Sequence, residues 1–487
     1  MVRAPGAGSE ALWADEVATG RVITAPSERL AVKRIRRESS PPASFYVGRV
    51  THKAGVALER AVGVGQRLTT MGTLRLWSVL FSAALTLLTF LYARRLLPLW
   101  SAALAGLLTA LGYQFVVHGK ELRAYALLAL LSLALPMVLE WTLARPNLRR
   151  LAALAAVVAL GSLTHYFFLL VGLGCLVWLW LVEQPPAKLR VTVAMAVGLV
   201  PLAAWLPITL FQAGRINRYF PAFQGDQVVD LYSNLFASGA VWSRVGDGWR
   251  LAVLAVVLAG AALLARRAEG RLAAILVVLP VALTALVWAL GLHVFTIRNL
   301  IVAAPFAAIA VAAVPAAIPV RPLALGATAV FAGFAVWTYS VDRDLGRTAY
   351  DDVAAALVEM GWTSSDPIAQ FAPYPQHVPL AWHLPGHPRL LLARAGAQEC
   401  PRAFAVVERP NGHAWLTENA DSVLRQRTFR YYGNGLEARQ REPDIVVAEL
   451  RPSPGLLEST LDSGALVYRS NRQRLPACLA AWTGPGS

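Results

Sequence analysis

Four groups of ionisable residues stand apart from the apolar sequence around them. Trp13-Ala14-Asp15-Glu16 holds an acidic pair in an otherwise basic stretch, and His118-Gly119-Lys120-Glu121-Leu122-Arg123-Ala124-Tyr125 sets four ionisable residues between two apolar runs. Thr164-His165-Tyr166 interrupts a third run, and Arg298-Asn299 opens a fourth. Charge beside hydrocarbon is costly and is retained where it is used. A carboxylate can take the proton of an attacking hydroxyl or amine. Arg and Lys can stabilise the charge that grows on a departing phosphate, Arg because its planar fork matches phosphate oxygens and never deprotonates. The chemistry this set serves is transfer of a group from a lipid phosphate to a hydroxyl or amine.

Each group also has a plainer reading. Asp15 and Glu16 can be solvated loop residues. Lys120, Glu121 and Arg123 can be interfacial anchors that snorkel from helix ends, with Lys120 and Glu121 paired to each other. His165 can be a core histidine satisfied by a backbone carbonyl, and Arg298 another anchor. The run Lys33-Arg34-Ile35-Arg36-Arg37 fits an amphipathic helix on anionic headgroups, or a reach toward a phosphate.

The elements that must position these residues are membrane spans. Of 487 residues, 56% are hydrophobic and only 15% charged, with a mean hydropathy of +0.50, whereas roughly a quarter of an ordinary soluble protein is charged. Ten apolar runs follow: Thr73 to Leu91, Leu97 to Val117, Ala124 to Leu143, Leu151 to Leu163, Phe167 to Val182, Val191 to Phe211, Leu251 to Ala265, Leu272 to Leu292, Leu300 to Ala317 and Leu323 to Trp337. Several are shorter than the roughly 20 residues of a full span. Leu151 to Val182 carries the polar group Ser162-Leu163-Thr164-His165 at its middle and reads as two short helices meeting there. The fold class is therefore mainly α, a polytopic transmembrane helical bundle.

Alternate loops carry Arg94-Arg95, Arg145 with Arg149-Arg150, Lys188 with Arg190, Arg266-Arg267 with Arg271, and Arg321. By the positive-inside rule these face the cytoplasm. The net charge of +16 is thus accounted for by topology, and nucleic acid is not expected as a partner. Residues 1–72, His118 to Arg123, Thr164 to Tyr166, Arg215 to Arg250, His293 to Arg298 and everything after Tyr339 fall outside, so all four ionisable groups share one membrane face. An external segment over 1–72 with no preceding apolar helix predicts that a first transmembrane helix is missing from the chain. Residues 73–340 form the transmembrane module. Residues 341–487 read as a C-terminal extracytoplasmic α/β or α+β domain, opened by an amphipathic helix from Tyr350 to about Trp362 and followed by short β-prone runs. It shows no Gly-rich phosphate loop, metal-ligand spacing or nucleophile elbow. Cys175 reads as a packing residue. Cys400 and Cys478 read as a disulfide in an oxidising compartment or as two unrelated thiols. Abundant Ala, Arg, Gly and Pro with scarce Lys indicate a bacterial genome of high GC content.

The order of the groups resembles a family. Asp15-Glu16, then Ser40-Pro41-Pro42-Ala43-Ser44-Phe45-Tyr46, then Leu74-Arg75-Leu76-Trp77-Ser78 opening a span, resembles the C-type superfamily of lipid-phosphate-sugar-dependent membrane glycosyltransferases. Glu121-Leu122-Arg123-Ala124-Tyr125 matches their Glu-x-Arg-x-Tyr signature, Thr164-His165-Tyr166 resembles their Thr-His-aromatic break, and Arg298-Asn299-Leu300 with Pro305 resembles their Arg-Tyr-Leu…Pro segment. The likeness covers about residues 12 to 340 and is nearest to the protein O-mannosyltransferase and aminoarabinose-transferase branch. Ser40 stands where the family commonly has His, and Asn299 where it has an aromatic. The resemblance implies Asp15 as catalytic base, with Glu16 as its assistant or as ligand to a divalent metal in branches that use one. It implies Arg123, Lys120 and Arg298 on the polyprenyl phosphate, with Glu121, Tyr125 and His165 in the same pocket. The implied activity is inverting transfer, in the cell envelope, of a hexosyl (mannosyl among them) or pentosyl group from a polyprenyl-phosphate sugar to an acceptor protein, lipid or polysaccharide.

Two other classes compete. A transporter or flippase of a lipid-linked substrate would hold its binding residues at the bilayer midplane between related halves, whereas these groups sit toward one face. A membrane scaffold whose C-terminal domain binds a partner would leave Asp15 dispensable.

Overall fold

The structure is a computed structural model. It describes residues 12–62, 70–183, 185–216, 226–246, 248–290, 297–342, 349–364, 366–371, 377–386, 388, 390–392, 402–408, 410–429, 445–451 and 466–470. The chain folds as two units: one comprises Met1–Ser9 and Thr19–Asp344, the other Glu10–Ala18 and Leu345–Ser487. Cys400 and Cys478, and with them the disulfide reading, lie outside the described residues.

The first unit is helical. Three helices precede the apolar runs: α1 (Ala14–Ile23), whose first turns belong to the second unit, α2 (Glu28–Ile35) and α3 (Ala43–Val62). α2 buries Ala31 and Ile35 and leaves Lys33 exposed, with Arg36 and Arg37 exposed just beyond it, the amphipathic arrangement expected of that basic run. The bundle follows as α4 (Thr70–Leu96), α5 (Leu99–Leu111), α6 (Tyr113–Lys120), α7 (Tyr125–Ala144), α8 (Leu148–Thr164), α9 (Phe168–Val177) with a π-helical turn Trp178–Glu183, and α10 (Lys188–Ile216). Then come α11 (Asp226–Phe236), α12 (Gly239–Val245), α13 (Gly248–Ala265), α14 (Arg271–Ala289), a 3₁₀ stretch Ile297–Val302, α15 (Ala304–Ala316) and α16 (Arg321–Asp342).

Every apolar run of the sequence contains a helix, but the helices differ in reach. Among the described residues, α4, α7, α10, α13, α14 and α16 are long and apolar enough to cross a membrane. The second run is a broken span, α5 and α6 bent by 52°. The break falls at Gly112, which adopts extended backbone; a Cβ there would stand 2.7 Å from Leu108 O and 2.8 Å from Leu235 O. α15 has only 13 residues, about 20 Å at 1.5 Å per residue, against a hydrocarbon core of about 30 Å. Helices close in through small residues, as apolar solvent gives them no hydrophobic drive to associate: a Cβ on Gly198 of α10 would meet Ala155 O of α8 at 2.5 Å. The chain is a multi-pass membrane protein.

The second unit carries a six-stranded sheet in the order β2-β6-β1-β3-β5-β4, with β1 Ile368–Phe371, β2 Leu390–Leu392, β3 Ala403–Val407, β4 Val423–Phe429, β5 Ile445–Leu450 and β6 Leu466–Ser470. β1 and β3 are parallel and the other pairs antiparallel. α17 (Tyr350–Glu359), α18 (His377–His383) and α19 (Pro410–Glu418) complete it. Both faces of β5 are buried, which explains the apolar run Ile445 to Ala448 that opens it. One face packs on Tyr350, Val353 and Leu357 of α17 and Leu380 of α18, the other on Trp415 of α19.

Candidate active site

In the first unit the chemistry gathers at the turn between α6 and α7. Glu121 leaves the helix in extended backbone, Arg123 N–H donates to Glu121 O at 2.8 Å, and α7 starts at Tyr125. Ser78 of α4 fixes this turn by donating its hydroxyl to Glu121 O at 2.6 Å, which ties Leu74-Arg75-Leu76-Trp77-Ser78 to Glu121-Leu122-Arg123-Ala124-Tyr125. The side chains turn inward: Lys120 is 9% exposed, Arg123 7%, and His118 and Glu121 fully buried. Snorkelling anchors keep their heads in water, so that reading does not describe these residues. Glu121 Oε2 meets His118 Nδ1. Arg123 Nη1 donates to Thr19 Oγ1 at 3.1 Å, and Thr19 is itself buried.

A line of rings joins this turn to the second polar group. The His118 and Tyr125 rings are 4.6 Å apart, Tyr125 and His165 6.0 Å, and His165 and Phe167 5.7 Å. His165 caps α8 in extended backbone, with its N–H on Gly161 O. The ring Nδ1 accepts from the Phe167 N–H at 3.3 Å, which places the ring proton on Nε2 in the neutral form. The helices on either side of this break approach closely, since a Cβ on Gly161 would lie 2.4 Å from the Phe168 ring. Next to it, Tyr166 donates to Gln212 Oε1 at 2.7 Å, while Gln212 Nε2 donates to Ile35 O at 3.1 Å and Ser40 O at 3.5 Å. The Ser40-Pro41-Pro42 turn is thereby held to the Thr164-His165-Tyr166 break.

Arg298 is half-buried on the stretch Ile297–Val302, which packs on α7 and α11. The unit thus brings Lys120, Glu121, Arg123, Tyr125 and His165 into one connected group, with Arg298 on an element packed against α7. Sequence reasoning passed over three supporting residues. Gln212 and Thr19 are neutral and carried no signal. Arg49 is a cation on the otherwise apolar start of α3, which could have flagged it; it is buried, donates to Val22 O, Ile23 O and Ala25 O at 2.8, 2.9 and 3.1 Å, and pairs with Glu28. It therefore closes the C-terminal end of α1, where carbonyls lack helical partners.

Asp15 and Glu16 belong to the second unit and occupy the first turn of α1. Trp13 is the N-cap, since its C=O accepts the first helical bond from Val17 N–H at 2.9 Å. Glu16, three residues on, accepts from the Trp13 N–H at 3.4 Å. That is the returning half of a capping box, and it gives the fully buried Glu16 a structural task. Asp15 is half-buried. Among the described residues no three His, Cys, Asp or Glu side chains gather as a metal-ligand set.

The fold, a bundle of apolar helices with a broken span followed in the chain by a small mixed sheet, is similar to one already solved. ArnT from Cupriavidus metallidurans, in the apo state, aligns over 93% of this chain and 96% of its own at 14% identity with a TM-score of 0.54. The same protein bound to undecaprenyl phosphate aligns over 92% and 96%, also at 14% identity and 0.54. An oligosaccharyltransferase from Archaeoglobus fulgidus, in complex with Zn and sulfate, covers 72% of this chain and 52% of its own at 12% identity and a TM-score of 0.44. The sequence matches no protein-family model and no curated protein.

Proposed function

We propose that the chain is a glycosyltransferase that moves a sugar from a polyprenyl-phosphate donor to a hydroxyl or amine acceptor, with inversion, at the extracytoplasmic face of a bacterial plasma membrane. The observation that carries this reading is the burial of Lys120 and Arg123 at the end of a broken span, in a chain with the fold of ArnT. Cations withdrawn from water between apolar helices interact strongly with a phosphate, and a phosphate on a lipid is an anion that arrives through the bilayer. ArnT has been solved with such a lipid, undecaprenyl phosphate.

In the reaction, the acceptor's lone pair attacks the anomeric carbon from the side opposite the phosphate. The bond from that carbon to the phosphate oxygen breaks, its electrons leave with the polyprenyl phosphate, and the acceptor's proton passes to the Asp15 carboxylate. Arg123, Lys120 and Arg298 hold the charge that grows on the phosphate, and Tyr125 and His165 line the pocket for the donor. Glu121 holds the turn in shape through His118, and Glu16 holds the first turn of α1.

The test is to incubate membranes carrying the chain with a panel of labelled polyprenyl-phosphate sugars and follow the label. Transfer of one label to an acceptor, abolished by Asp15→Asn with membrane insertion intact, is the expected result. Passage of the intact lipid-linked sugar across the bilayer, with no transfer, would instead identify a flippase.

A further inference from the structure

The segment carrying Asp15 packs as part of the C-terminal unit. A long-range bond runs from the Leu12 backbone N–H to Nε2 of His383, at 3.2 Å and across 371 positions of sequence. Leu12 is fully buried, and His383 is the last residue of α18, half-buried. A buried backbone donor must find an acceptor, and Leu12 lies before the N-cap of α1, outside the helical ladder. For Nε2 to accept, the imidazole carries its proton on Nδ1. Beyond Leu12, the Glu16 cap on Trp13 N–H and the Val17 bond to Trp13 O begin at once. Asp15 therefore lies in a stretch fastened at its entry by His383 and at its exit by the helix's own cap.

We propose that His383 is a positioning residue for Asp15, and that one task of the C-terminal domain is to hold the first turn of α1 in place for the acceptor. This rests on the assignment of Asp15 as the base. The domain acts here on proton transfer and not on the donor, whose phosphate is assigned to Arg123, Lys120 and Arg298. Loss of the His383 acceptor therefore lowers kcat and leaves the KM for the lipid-linked sugar where it was.

The experiment uses the full chain in detergent or nanodiscs, comparing wild type, His383→Ala and His383→Gln by hydrogen exchange and by transfer kinetics. A net backbone hydrogen bond governs an opening equilibrium by about tenfold. Exchange in the peptide spanning Leu12 to Val17 should thus speed up by about that factor in His383→Ala and return toward wild type in His383→Gln, whose amide oxygen can accept. kcat should fall and recover in parallel. Unchanged exchange at Leu12 in His383→Ala overturns the proposal, and so does acceleration spread through β1, β3 and β5, which would make His383 a residue of the domain's own fold. Full activity in Asp15→Asn sinks the assignment of the base but leaves the exchange result standing, so the two failures are distinguishable.

Discussion

His118 Nδ1 stands 2.5 Å from Glu121 Oε2, one helical turn away, with neither side chain exposed. The pair sets the shape of the turn that presents Lys120 and Arg123, because Glu121 is also the residue whose carbonyl Ser78 grips. His118→Leu takes the imidazole away from a buried carboxylate and should cost about 3 kcal/mol, seen as a lower Tm in detergent. Replacing both, His118→Leu with Glu121→Leu, should restore most of that stability, because the buried carboxylate that lost the imidazole is then gone as well. A single variant that lost transfer but kept its Tm would give His118 a part in the chemistry instead.

Arg123 offers a sharper test of phosphate binding than of folding. Its guanidinium bonds Thr19 with one nitrogen, and its planar fork matches the oxygens of a phosphate. Arg123→Lys keeps the charge and loses the fork, and kcat/KM should fall about tenfold; Arg123→Gln loses both, and the fall should reach about 10²-fold or more. Transfer assays across a range of donor concentrations check this. Equal rates for Arg123→Gln and wild type would remove Arg123 from the site.

The helical class, the position of each apolar run and the break at His165 were legible because burial in hydrocarbon writes long apolar stretches and makes polar interruptions conspicuous. Lys120, Glu121, Arg123 and Tyr125 were legible for the same reason. The cap that the Glu16 carboxylate makes was not, since it shows only once the N-cap is located at Trp13. Gln212 and Thr19 were invisible because neutral side chains carry no charge against which to ask why they are there. The packing of residues 12–18 as part of the C-terminal unit could not be read at all, for a contact across 371 positions leaves no periodicity.

The two neighbouring carboxylates should separate cleanly by substitution. Glu16→Gln keeps an oxygen to accept from the Trp13 N–H and should retain most activity, while Glu16→Ala loses the cap at about 1 kcal/mol and should show a modestly lower Tm. Asp15→Asn keeps size and polarity but removes the base, and transfer should drop by about 10²- to 10⁴-fold at unchanged Tm. The reverse pattern, with Glu16→Gln inactive and Asp15→Asn active, would exchange the two roles. Transfer rates and thermal unfolding on the same preparations decide between them.

Gly260 of α13 tests the frame beneath the site. A Cβ there would fall 1.8 Å from Ala310 O, a backbone atom of α15 that cannot swing aside as a side chain can. Gly260→Ala must push the two helices apart, and overpacking of this kind costs about 1–3 kcal/mol. Gly326 of α16, with nothing within 4 Å of its Cβ position, is the control: Gly326→Ala should hold or raise stability, by up to about 1 kcal/mol, on helix propensity alone. The strain should also reach function. α15 follows directly on the stretch that carries Arg298, joined by the Ala303 N–H bond to Leu300 O at 2.9 Å, so displacement of α15 carries Arg298 with it. Gly260→Ala should therefore raise the KM for the lipid-linked donor as well as lower the Tm, whereas a lowered Tm with an unchanged KM would detach Arg298 from the phosphate.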